Sequence, residues 1–143
     1  RVSHDAADPV QYVVSAGKKK IVVATDLGYV STLVEECMRD ADLIVIEANH
    51  DVEMLKNGPY PWELKQRIMS RVGHLSNRNA AEFLFNLSCA RRTPRVVLAH
   101  LSEENNTPER AEKEVRDLFD KYDRDLKSLT VALQDCPTDI IEL

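Results

Sequence analysis

The chain alternates between short, almost uninterrupted apolar runs and longer segments in which apolar residues recur every three or four positions. Ile21-Val22-Val23-Ala24-Thr25, Leu43-Ile44-Val45-Ile46 and Val96-Val97-Leu98-Ala99 have the length and β-branched content of strands buried on both faces. Between the first two, Leu33, Val34, Cys37 and Met38 recur at helical spacing behind Ser31, a suitable N-cap. Residues 51–56 read as a short helix, stopped by Asn57-Gly58-Pro59-Tyr60-Pro61. A second helix follows over 62–71, with Pro61 suited to its first turn. Gly73-His74-Leu75-Ser76 breaks the pattern, and Ser76 or Asn77 caps a helix to about residue 87. Thr107-Pro108-Glu109-Arg110 opens a last helix to about residue 122, with Thr as cap and Pro in the first position. Short strands are predicted at 1–5 and 10–16 around an Asp8-Pro9 turn, with Gly17 and Lys18 to Lys20 at a hairpin tip. Closing strands are predicted at 128–133 and 139–142. This alternation of strand and helix predicts an α/β layered domain (α+β in some schemes), with a mixed sheet covered by helices.

Four apolar stretches end on a residue able to bind metal or move a proton. Val2-Ser3 leads to His4, the run at 21–25 to Asp26, the run at 43–46 to Glu47 and then His50-Asp51, and the run at 96–99 to His100. Open α/β sheets place their sites beyond the carboxyl ends of the strands, so these residues are expected to share one sheet edge. Neutral imidazole and carboxylate suit zinc, manganese or iron, which makes His4, Asp26 and His100 the candidate metal ligands. The bland alternative for each is a hydrogen-bonded strand-end or helix-entry residue. His74 sits at a Gly hinge and is a candidate general acid. Glu47 is placed to orient His74 or, alternatively, to pair with an Arg. His50 and Asp51 are weaker candidates for a supporting position around a metal. Trp62 and Tyr60 read as core more readily than as an aromatic patch. Lys18 to Lys20 and Arg91-Arg92 are candidate phosphate contacts, though a solvated tip is the commoner meaning of such runs. Glu103-Glu104-Asn105-Asn106 reads as a cap and loop, since EF-hand spacing is absent.

Length and charge narrow the function classes. With 143 residues and a net charge of -5, the chain fits one domain and carries no basic footprint of a passive nucleic-acid binder. An enzyme whose metal ions supply the positive charge remains compatible. Cys37, Cys89 and Cys136 form no CxxC pair, so small buried thiols in a reduced, cytoplasmic protein are expected. No segment reads as a signal peptide, and no apolar stretch is long enough to span a bilayer. Arg1 is not an initiator Met and His4 lies almost at the first residue, so an upstream segment is expected.

The segments SHDAADPVQY, IVVATDLGYVS, EANHDVEMLKNGPYPWELKQRI, GHLSNRNAAE and LAHLSEENNTPE, in that order, resemble the C-terminal half of metallo-β-lactamase-fold hydrolases. The likeness is strongest to the YycJ (WalJ) group and looser to tRNase Z-like nucleases. It covers the whole chain, 1–143. One departure is Gln11, where the group has Gly before the Tyr. The resemblance implies half of an αβ/βα sandwich, whose HxHxDH metal motif belongs to an N-terminal half and is not in this sequence. It implies two divalent metal ions, zinc or manganese, with His4 on one, His100 on the other and Asp26 bridging. Glu47 and His74 fall on the pair that tRNase Z-like nucleases use near the scissile phosphate. The implied activity is that of a metal-dependent exonuclease, with double-stranded DNA as substrate and the N-terminal half as structural partner.

Two further readings stay open. One is a metallo-hydrolase of small esters or thioesters on the same fold; the other is a non-catalytic α/β binding or interaction domain. Fold alone does not separate them, and the sequence sets no oligomeric state, digestion polarity or native metal.

Overall fold

A computed structural model of the chain describes residues 2–90, 93–126 and 128–143. Arg91 and Arg92, candidate phosphate contacts, lie outside the described residues. Among the described residues, five strands form one sheet: β1 (Tyr12–Ala16), β2 (Lys19–Ala24), β3 (Leu43–Glu47), β4 (Arg95–Ala99) and β5 (Leu129–Val131), in spatial order β1-β2-β3-β4-β5. β1 runs antiparallel to β2, joined by a tight turn in which Gly17 takes φ +59°, a conformation glycine adopts at no steric cost. The pairs β2–β3, β3–β4 and β4–β5 are parallel. The sheet is therefore mixed, flanked by helices, and the three apolar runs lie side by side with their carboxyl ends at one edge.

The helices are α1 (Thr32–Met38), α2 (Val52–Asn57), α3 (Trp62–Ile68), α4 (Asn77–Ala90) and α5 (Pro108–Lys121). Their starts follow the expected capping chemistry. The side chains of Ser31, Asp51, Ser76 and Thr107 accept from the backbone N–H groups of Val34, Met54, Asn79 and Arg110, each satisfying an otherwise orphan donor. Pro61 precedes α3 at the N-cap position, not in its first turn. α3 ends at Ile68, three residues short of the expected stop, because Ser70 turns back onto Arg67 through both its N–H and its hydroxyl. Lys65, a buried residue of α3, donates its ammonium to the carbonyls of Lys56 and Gly58 at 2.7 and 2.8 Å. It thereby neutralises the exposed carbonyl end of α2 and locks the turn between the two helices.

One face of the sheet carries Val22, Ala24, Ile44, Ile46, Val96 and Leu98, which pack with Val34 and Met38 of α1, Leu84 and Leu87 of α4, and Val115 and Phe119 of α5. The opposite face is apolar too: Tyr12, Val23 and Val45 are in register, as are Val14 and Ile21. None of these five joins the core cluster, and Tyr12 and Val14 are 64% and 53% exposed.

Several expectations are corrected. Residues 2–8 form a loop, not a strand, because the backbone turns back on itself and docks elsewhere: the N–H of Asp5 bonds the carbonyl of Val72, and the carbonyl of Ser3 accepts from Gly28. Residues 139–142 are not a strand, and Ile140 is almost fully exposed. Trp62 is not core but 58% exposed. Cys89 and Cys136 are exposed and only Cys37 is partly covered, so the thiols are not buried. Lys20 donates to the carbonyl of Arg39 and Lys19 pairs with Asp42 at 3.5 Å, so both hold the hairpin to the body of the domain.

His50 is 2% exposed, and its Nδ1 has no hydrogen-bond partner among the described residues. Burial pushes its pKa down from 6.5 to about 4, against the pull of the nearby Glu47 carboxylate. Between those pH values the unfolded chain takes up a proton that the folded chain excludes. The resulting stabilisation is complete above pH 6.5 and is lost as the pH falls from there toward 4. The loss amounts to about 3 kcal/mol. Urea denaturation at pH 7.5 and 4.5 is expected to show this decline in the parent protein and a much flatter response in His50→Gln.

Candidate metal centre

Three neighbouring parallel strands set the floor of the site. β2 ends before Asp26, β3 ends on Glu47, and β4 ends just before His100. Because Ala24, Ile46 and Leu98 are in register, the three polar residues emerge side by side. Asp26 and His100 both take left-handed backbone conformations, each with φ 57°. Such geometry is uncommon outside glycine, carries strain and clusters at functional sites. Here it turns the chain sharply at the strand ends.

The remaining residues arrive on loops held by backbone contact. Gly28 packs against the backbone of Arg71 and Val72, where an added Cβ would come within 2.2 Å of the Arg71 carbonyl. Gly73 packs as closely against the carbonyls of Arg67 and Ile68. These two absences of a side chain let the segments around residues 4, 27 and 73 converge. His4 and His74 are thereby brought together, with ring centroids 4.9 Å apart, and His74 lies 5.3 Å from the ring of His100.

Glu47 ties the cluster to the core. It is fully buried. One carboxylate oxygen accepts from the Nδ1 atoms of His74 and His100 at 2.8 and 2.6 Å, the other from the N–H groups of Leu27 and Leu75 at 2.8 and 3.0 Å. Burial pushes the Glu47 pKa up, but the bonds from His100, His74, Leu75 and Leu27 outweigh it and hold the pKa at about 2. The same bond to Glu47 raises the pKa of His100, against the effect of its partial burial. The Nδ1 of His4 donates to the Gly73 carbonyl at 2.9 Å. All three rings are therefore pinned at Nδ1, the way a carboxylate or carbonyl orients the histidines of metal sites. Asp26 Oδ2 accepts from the Thr25 hydroxyl, and Oδ1 lies 3.7 to 4.0 Å from nitrogens of His4, His74 and His100.

Asp26, Glu47, His74 and His100 place donor atoms within 4.8 Å of one another, an Asp/Glu/His cluster of the kind that binds a metal. Glu47, with four bonds already accepted, acts as its support. His4, Asp26, His74 and His100 line a single cleft of about 1150 Å³. His50 and Asp51 do not line it. The Asp51 carboxylate caps α2 and pairs with Arg110 at 3.3 Å, facing a separate small cavity.

Residues the sequence reading passed over also build the site. Asn49 donates its side-chain amide to the carbonyl of His100 and fixes the strained turn there. Asp5 lies 3.6 Å from Nε2 of His4 and grips Arg67 through two bonds of 2.6 and 2.9 Å. That hydrogen-bonded guanidinium holds the Asp5 carboxyl below its ordinary pKa. Its position beside His4 was the only local signal for Asp5.

Glu47→Gln replaces one of the shared acceptors by an amide that cannot bind both imidazoles in the same way. Affinity of the site for zinc or manganese is expected to fall by about 10–100-fold. Isothermal titration of the two proteins would measure it, and equal affinities would refute the supporting role of Glu47.

Residues 1–101 match the family model described as beta-lactamase superfamily domain. The chain is 48% identical over 110 residues to "Exodeoxyribonuclease WalJ" of Streptococcus pneumoniae serotype 2 strain D39, covering 77% of this chain and 40% of that protein. It is 42% identical over 120 residues to "Exodeoxyribonuclease YycJ" of Bacillus anthracis, covering 84% of this chain and 45% of that protein. The chain thus spans less than half the length of the curated relatives it matches. On a family match that takes in well over half of its residues, together with the metal-binding cluster at the sheet edge, this chain belongs to the beta-lactamase superfamily and is related to the WalJ and YycJ exodeoxyribonucleases.

Proposed function

We propose that this chain is the C-terminal half of a metal-dependent phosphodiesterase that degrades DNA from an end, acting with two divalent ions, zinc or manganese, in the cytoplasm. The observation that carries the reading is the set of imidazoles pinned at Nδ1 around Asp26, in one cleft of a chain related to exodeoxyribonucleases. His4 would bind one ion, His100 the other, and Asp26 both, since the two oxygens of a carboxylate can serve separate ions. When bound, the ions would neutralise the phosphate and activate the attacking water.

The other groups act on the substrate. His74, whose Nδ1 is held by Glu47, presents its Nε2 to the scissile phosphate and donates a proton to the leaving oxygen. Glu47 fixes the orientation of that ring and of His100 and does not touch the substrate. Asn49 holds the His100 turn. Three ligands shared by two ions, with Asp26 counted twice, leave each ion two protein donors, whereas catalytic sites use at least three. The remaining donors are assigned to an N-terminal half carrying HxHxDH. That half would also cover the apolar sheet face bearing Tyr12 and Val14.

Two outcomes test the reading. In the complete, metal-loaded domain, His74→Ala is expected to lower turnover by about 10²–10⁴-fold and leave metal content unchanged; loss of metal would place His74 among the ligands instead. The 143-residue chain by itself is expected to bind zinc or manganese weakly and to leave oligonucleotides and generic esters intact. Stoichiometric tight binding with full nuclease activity would overturn the division into halves, and ester hydrolysis without DNA degradation would overturn the substrate class.

A further inference from the structure

The cleft beside the histidines is lined by unlike groups. The α2–α3 segment contributes an apolar wall of Tyr60, Leu64 and Ile68, with Arg67 beside them. The segment after β4 contributes Glu103 and Glu104, both exposed. Among the described residues lining the cleft, Arg67 is the only lysine or arginine, and Asp5 already binds it through two hydrogen bonds. DNA-binding clefts ordinarily gain affinity from cations on phosphates. This one has no uncommitted cation among its described residues and carries carboxylates instead.

Tyr60 is built into a rigid turn. Pro59 and Pro61 flank it and restrict the backbone on both sides. Gly58 sits so tightly that a Cβ would lie 2.6 Å from the Asn105 side chain and 2.8 Å from the carbonyl of Met54. The buried ammonium of Lys65 clamps the same turn through the carbonyls of Lys56 and Gly58. The ring is nevertheless only partly buried, and it lines the cleft that holds the histidines. An aromatic ring held out of the core, on an immobilised backbone, beside a phosphodiester site, is suited to stacking: it presents a π-face with little ordering entropy left to lose.

We propose that Tyr60 is a substrate-binding residue that stacks on the base of the terminal nucleotide, with Leu64 and Ile68 completing the apolar wall, so that recognition at this end of the cleft rests on the base and not on phosphate contacts. The inference rests on the DNA-degrading reading above and names how that substrate is held. Stacking is tolerant of base identity because every base has a π-face, so such a contact would bind DNA ends of any sequence. Glu103 and Glu104, which line the same cleft, disfavour a phosphate running on past the terminal base.

The test uses the complete, metal-loaded domain and an oligonucleotide with 2-aminopurine at its terminus. Tyr60→Leu is expected to raise KM by about 10-fold with kcat little changed, and Tyr60→Phe to restore it. Without metal, addition of the parent protein should quench the 2-aminopurine emission, and Tyr60→Leu should remove most of that quenching. An abasic terminal nucleotide should raise KM for the parent protein and erase the difference between parent and Tyr60→Leu. Thermal melting of each variant separates loss of fold from loss of contact. If DNA is hydrolysed but Tyr60→Leu is equally impaired on normal and abasic ends, or does not change the quenching, the stacking role is overturned. If the parent enzyme hydrolyses no DNA, the proposed function fails instead.

Discussion

The site depends on one buried carboxylate. Placing the charge of Glu47 in the core carries a penalty of several kcal/mol unless its lone pairs are occupied, and here four donors occupy them. Two are backbone N–H groups from the loop after β2 and the loop before α4, and two are imidazoles from different parts of the chain. Each bond offsets part of the burial penalty and also positions its donor. The interaction that keeps the core intact is thus the one that aims His74 and His100. The depressed pKa of Glu47, about 2, shows that the four bonds prevail over burial.

Around that carboxylate the loops are held by close backbone approach. Gly28 and Gly73 stand where a Cβ would overlap neighbouring carbonyls, so the segments carrying His4, Asp26 and His74 come nearer than side chains would allow. Positive φ at Asp26 and His100 is strain that the surrounding hydrogen bonds maintain. Reciprocal amide bonds between Asn77 and Asn106 at 2.8 Å, and the bonds from Asn106 to the carbonyls of Ala48 and Asn49, hold the starts of α4 and α5 against the end of β3. The buried amides of Asn77 and Asn106 are satisfied by one another and by the end of β3, which holds the loops that bear the site where they meet the sheet.

The chemistry of the cleft follows from this rigidity. Imidazoles fixed at Nδ1 need little reorganisation to accept a cation. The same economy extends to Tyr60, which stands on a turn held by two prolines, a tight glycine and a buried lysine. Metal-binding atoms and the aromatic wall thus share one cleft on a common frame.

Much of this was legible from local pattern alone. Apolar runs of strand length identified β2, β3 and β4, and the polar residues at their ends pointed to Asp26, Glu47 and His100, because a parallel sheet delivers all its carboxyl ends to one edge. Caps at Ser31, Ser76 and Thr107 announced helix starts, since an orphan N–H needs a nearby oxygen whatever the tertiary context. Other features had no local signature. The local pattern places His4 at a strand end, yet it lies on a loop whose backbone bonds to segments some 25 and 70 residues away. The pairing of Glu47 with His100 depends on β3 and β4 being neighbours in register, its pairing with His74 on the close docking of the loop at Gly73, and the exposure of Trp62 beside the cleft-lining Tyr60 on how α3 docks. The buried strands β2, β3 and β4 and the helix caps are set by interactions within a few residues, so the sequence by itself determined them; which end segments form strands and which side chains meet across a cleft are set by packing between distant segments, and only the tertiary structure decided them.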